Sequence, residues 1–99
     1  MILYNVTASV DATIADEWLN WMKDTHIKEV MATELFESFS FYKVLLQPDD
    51  SLTYSVQYLT TSMAKLQKYQ AQYAPALQAQ VLKRYGEKVM NFRTVLESV

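Results

Sequence analysis

The hydrophobic pattern of this chain switches period in a fixed order, and that order narrows the fold more than any single motif does. Ile2–Val10 alternates, with Ile2, Tyr4, Val6, Ala8 and Val10 on one side and Leu3, Asn5, Thr7 and Ser9 on the other. From residue 14 to about residue 33 the apolar positions recur at helical spacing instead. Residues 36–46 and Leu52–Thr60 read as strands rich in aromatic and branched side chains. Between them Gln47-Pro48-Asp49-Asp50-Ser51 has the composition of a type I turn with proline at its second position, which makes the pair a hairpin. A second helical run starts at Met63, and Val89–Glu97 is a final strand. The order β-α-β-β-α-β predicts an α+β, ferredoxin-like fold: a four-stranded antiparallel sheet with two helices on one face and the other face open. Ninety-nine residues suffice for one domain with a single core, spanning 1–99.

Residues 18–36, WLNWMKDTHIKEVMATELF, hold both tryptophans and the single histidine. At about 100° per residue, Ala15, Leu19, Met22, His26 and Val30 share one helix face. His26 then lies near the middle of the buried face, Trp18 flanks it, and Trp21 points roughly the opposite way, towards a partner or the far end of its own subunit. Thr13, three residues before Asp16, resembles a capping box and sets the helix start at Ile14. In the second helix Thr61 or Ser62 is the cap, and the inward stripe is Met63, Leu66, Tyr69 or Gln70, Tyr73 and Leu77. Pro75 predicts a kink near residues 73–76, and Gly86 closes the helix.

Strand alternation assigns Tyr4, Val6, Phe39 or Phe41, Tyr54, Val56, Tyr58, Met90 and Phe92 to the helix side. It assigns Leu3, Asn5, Thr7, Ser55, Gln57, Leu59, Asn91, Arg93 and Val95 to the open side. That open face is flat, semi-polar and without the lysines that guard exposed sheets, so a homodimer formed face to face is expected through Leu3, Asn5, Gln57, Leu59, Asn91, Arg93 and Val95.

Composition removes several functions. A net charge of −2 gives no footprint for nucleic acid, and no run is long and apolar enough for a membrane span. The N-terminal MILYNVTASVD lacks the basic residues of a signal peptide, so the expected compartment is the cytoplasm. Without cysteine there is no disulfide or thiolate chemistry, and one histidine cannot build a multi-histidine metal site. Gly86 is the only glycine, which excludes a glycine-rich phosphate cradle. No cofactor and no metal are expected.

Trp18, His26 and the following ATELFESF resemble the dimeric α+β barrel superfamily. More closely, MILYNVTASVD, HIKEVMATELFESF, YAPALQAQVLKRYG and NFRTVLESV together resemble a family of small bacterial proteins of unknown function. The resemblance covers nearly the whole chain and implies a ferredoxin-like fold with sheet-to-sheet dimers, but no activity. Lys28 and Glu34 depart from the superfamily pattern, standing where a proline and a glycine are usual.

The sharpest candidate pocket is His26 with Tyr4, Tyr54 and Tyr58 across the sheet and Trp18 as a wall. Such a histidine either holds helix to sheet as a neutral hydrogen-bonding group or lines a working pocket. Arg93 with Asn91, Asn5 and Gln57 either binds an anion or makes polar contacts across a dimer. Two functions follow: a non-catalytic homodimer with room for a small apolar or aromatic ligand between helix and sheet, or a cofactor-independent enzyme of the monooxygenase or isomerase type that uses His26.

Overall fold

The computed structural model describes residues 1–46 and 52–99; the turn expected at 47–51 lies outside them. Strands β1 (Ile2–Val10), β2 (Ser38–Lys43), β3 (Leu52–Thr60) and β4 (Val89–Glu97) form one antiparallel sheet in the order β2-β3-β1-β4. This is the ferredoxin-like arrangement, and the helices lie on one side of the sheet. The paired registers put Tyr4, Tyr58 and Phe39 in one row of the helix side, and Val6, Val56 and Phe41 in the next. The core is built there, from the helix side of the sheet and the inward residues of the helices. Strand β2 is shorter than the expected 36–46. Phe36 is still in the bend, where it is buried, and the buried Thr60 hydroxyl donates to the Leu35 carbonyl at 2.7 Å.

Strand β4 corrects the face assignment. Arg93 pairs with Val6, Asn91 with Ala8 and Val95 with Tyr4, so Asn91, Arg93 and Val95 share the helix side of the sheet. Met90 and Phe92 are opposite Ser9 and Thr7 on the open face, where both are exposed. The reason is a connection that alternation does not see. A 3-10 turn at Gly86–Lys88 leads into the strand, and the Asp11 N–H donates to the Lys88 carbonyl at 2.9 Å. That bond seats Val89 against Val10 and fixes the phase of everything after it.

The first helical rod is not a continuous α-helix. Asp11, rather than Thr13, is the cap: its carboxylate accepts from the Thr13 N–H at 2.8 Å and hydroxyl at 2.6 Å, opening a 3-10 turn at Ala12–Ile14. Helix α1 (Ala15–Trp21) follows, then one π turn at Met22–His26, then α2 (Ile27–Ala32). In the π turn the Ile27 N–H reaches back to the Met22 carbonyl, five residues away. The extra residue turns the inward face, so the fully buried positions are Ala15, Trp18, Met22, Ile27 and Val30. Trp18 is therefore fully inside, 1% exposed, instead of on the flank of the inward face. Leu19 and His26 become half-buried.

The second rod breaks where proline requires it. Helix α3 (Met63–Gln72), capped by the Ser62 hydroxyl, ends at Tyr73, and α4 (Ala74–Tyr85) restarts with Pro75 in its first turn, where its missing N–H costs nothing. Gly86 ends α4 at φ 57° and ψ −130°, a backbone region that side chains avoid, although the space beside its Cα is open. Glu34 also carries a positive φ, 63°, in the bend before β2.

Candidate functional site

Two aromatic clusters fill the interior. Phe36 sits 4.9 Å from Tyr69 and 5.2 Å from Tyr58 between ring centroids and stacks on Tyr4 at 6.2 Å. Trp18 packs on Tyr54 at 5.2 Å and meets Phe41 edge-on at 5.8 Å. Each ring here is large and rigid, so the gap left between the clusters is shaped rather than collapsible.

That gap is a cavity with about 40 Å³ open to the centre of a water-sized sphere. Tyr4, Tyr58, Trp18 and His26 line it, as do Tyr69 and Leu77 from the second rod and Val6 and Val56 from the sheet. Of the residues expected around His26, only Tyr54 is elsewhere, held against Trp18 and Phe41. Gln78 and Arg93, both exposed, and the half-buried Asn91 line the same cavity, which places its mouth between α4 and β4. Asn91 and Arg93 were expected on the open face, because β4 carries apolar residues in both phases. Tyr69 was on the expected inward stripe.

The π turn presents His26 sideways. Its ring lies 5.1 Å from Trp21 at 31°, and Trp21 is covered in turn by Tyr85 at 5.6 Å and by the Arg84 guanidinium at 5.4 Å. Trp21 is thus sheltered by the far end of its own subunit, with Arg84 steered by Glu17 at 3.0 Å. The Nδ1 atom of His26 is buried and has no hydrogen-bond partner, a rare condition for a native polar atom. Burial pushes the imidazole down to about 4, and the positive charge of Arg93 acts in the same direction. His26 is therefore neutral at physiological pH. Burial also pushes the Tyr58 and Tyr69 phenols up, with Tyr4 reinforcing both shifts and Arg93 opposing that of Tyr69. Both phenols stay protonated and can donate hydrogen bonds.

The open face divides differently. Leu3, Asn5, Gln57 and Leu59 are there as expected, whereas Asn91, Arg93 and Val95 are not. Asn5 forms the hub of a polar ladder, donating to Thr7 at 3.1 Å and accepting from Ser55 at 2.6 Å, while Gln57 donates to Ser55 at 3.3 Å. Exposed Tyr42, Met90, Phe92 and Leu96 frame that ladder. Among the described residues no group of three or more His, Cys, Asp or Glu could hold a metal, and no helix is long and apolar enough to cross a membrane.

Solved structures share this architecture. HapK from Hahella chejuensis is 13% identical with a TM-score of 0.72, covering all of this chain and 93% of its own. A candidate antibiotic biosynthesis monooxygenase from Deinococcus radiodurans is 16% identical with a TM-score of 0.69, covering 100% and 93%. A dimeric ferredoxin-like protein from an uncultured marine organism is 13% identical with a TM-score of 0.66, covering 99% and 94%. At such identities the likeness is one of fold. No curated protein matches the sequence. The profile of one family, described as Domain of unknown function (DUF4286), matches residues 1–99, and the chain belongs to that family.

Proposed function

We propose that this protein is a homodimer, joined through its open sheet face, that binds a small molecule in the cavity between helices and sheet. The observation that carries the binding reading is a cavity lined by His26, whose buried Nδ1 has no protein partner, together with two protonated phenols and a cation. A histidine kept only to hold helix to sheet would spend that nitrogen on a protein partner. The volume limits the ligand. An apolar cavity that takes up benzene measures about 150 Å³, so the present space suits a compact polar group rather than an enclosed aromatic ring.

The dimer rests on the exposed Tyr42, Met90, Phe92 and Leu96 around a polar ladder. The molecule measures 37 × 31 Å across the broad side that holds the sheet, room for a standard interface of about 800 Å² per partner. The marine neighbour described as a dimeric ferredoxin-like protein supports the same reading. The alternative, a cofactor-independent monooxygenase or isomerase with His26 as proton acceptor, draws on the neighbour named as a candidate monooxygenase. A histidine titrating near 4 is a weak base at neutral pH, which favours binding over proton abstraction.

Light scattering at micromolar concentration tests the assembly: twice the 11.5 kDa chain mass is expected, and the monomer mass overturns the dimer. A thermal-shift screen of small polar and aromatic compounds tests the pocket. A ligand that binds only the folded state raises the melting temperature, and a screen without any binder overturns the binding reading.

A further inference from the structure

We propose that the outer surface carries a second binding site, a groove between the π turn and α4 that takes small aromatic acids. It is separate from the cavity and stands on different residues.

The groove has a volume of about 360 Å³ and is lined by Trp21 and Thr25 from the first rod and by Gln80, Lys83 and Arg84 from α4. That volume falls within the range of small-molecule sites, about 300–1,000 Å³. Trp21 lines the groove and not the cavity, while His26, 5.1 Å from it, lines the cavity and not the groove. Thr25 belongs to the π turn, a distortion that recurs at functional sites.

The charge of the ligand follows from Lys83. No aspartate or glutamate lines the groove. Arg84 already has Glu17 as its counter-ion at 3.0 Å, so the charge left over is that of Lys83, which has no ion-pair partner among the described residues. Gln80 and Thr25 donate and accept alike, so they suit polar atoms of either kind and leave the sign to the lysine.

The ring follows from Arg84. Its Nε donates to the Tyr85 hydroxyl at 3.1 Å and its Nη2 to Glu17 at 3.0 Å, which holds the guanidinium over the Trp21 ring, 5.4 Å from the centroid. A guanidinium so held is a flat surface, and aromatic rings stack on such a plane. The groove thus has a stacking plane and a free ammonium on adjacent residues of one helix. A ring bearing a carboxylate uses both at once.

The two tryptophans locate any ligand, because Trp21 lines the groove and Trp18 the cavity. Their indole N–H resonances are told apart with a Trp21→Phe variant. The full chain is then titrated with benzoate, with benzyl alcohol, which lacks the charge, and with cyclohexanecarboxylate, which lacks the aromatic ring. Benzoate is expected to shift the Trp21 resonance saturably and to bind at least about threefold tighter than either analogue, the scale of one exposed ion pair or cation–π contact. The exposed Lys83→Gln variant is expected to fold and to bind benzoate no better than benzyl alcohol. Equal affinity for either analogue, or Lys83→Gln keeping the preference for the acid, overturns the assignment. Silence of the Trp21 resonance towards all three overturns it as well. A shift of Trp18 alone also overturns it, but the ligand is then in the cavity and the small-molecule reading above stands.

Discussion

On its helix side the sheet carries Tyr4, Val56 and Tyr58, all nearly inaccessible to solvent, whereas on its other side Phe92 is 61% exposed beside the Asn5–Ser55–Gln57 ladder. The same strands make both faces, since successive side chains point opposite ways. The inner face gains stability within one chain by burying rings against helices. The outer face meets its polar needs internally, through side-chain hydrogen bonds, and leaves its apolar rim unspent. One face therefore determines whether the chain folds, and the other is the face that the proposed dimer uses.

This division can be broken at its strongest point first. Trp18→Ala removes the deepest ring of the helix side and leaves Tyr54 and Phe41 without their partner. A loss of about 3–5 kcal/mol in a denaturant titration is expected. A loss below about 1 kcal/mol would mean that the inner face is not what holds the fold.

The next effect is smaller and depends on pH. His26 titrates near 4 when folded, against an ordinary value of 6.5. The unfolded chain therefore takes up the proton first as pH falls, and the folded state loses stability between pH 6.5 and 4. The loss amounts to about 3 kcal/mol, and this group contributes no further change below pH 4. Denaturation midpoints measured across that window should fall for the wild type and flatten for His26→Gln. Parallel curves would place the pH sensitivity elsewhere.

The smallest effect on folding belongs to the open face. Phe92→Glu should change the stability of the monomer by no more than about 0.5 kcal/mol, as exposed substitutions do. It should nevertheless shift the light-scattering mass towards the monomer. An unchanged mass would remove Phe92 from the interface, and a large stability loss would blur the distinction between the two faces.

What could be read from the sequence follows from where the deciding interactions lie. Ser62 caps its own helix, Pro75 breaks its own helix, and the strands of β1 and β3 alternate cleanly, so local chemistry was enough for the element order and the fold. The phase of β4 was hidden because Val89, Met90, Phe92, Val95 and Leu96 fit neither alternation, and the deciding bond joins Asp11 to Lys88 across the chain. Arg93 and Asn91 were thereby assigned to the wrong face, and the cation of the cavity went unseen. Tyr54 was misplaced for a different reason: sharing a sheet face with Tyr58 puts it in the core but not in the same gap. The π turn has no composition signal at all. Met22-Lys23-Asp24-Thr25-His26 contains neither glycine nor proline, and its geometry follows from what both ends of the rod must bury.

The π turn also records how this rod could have come about. From Ala15 through Trp18, Met22, Ile27 and Val30 the buried positions are spaced three, four, five and three apart. With one codon deleted between Met22 and Ile27, the spacing becomes three, four, four and three, the seam of an uninterrupted α-helix. The rod thus has the form of an ordinary amphipathic helix that absorbed a single-residue insertion without disturbing the packing on either side. The bulge lies next to His26 and sets the placing of that ring, while Trp18, Met22 and Val30 of the same rod line the cavity on the regular spacing.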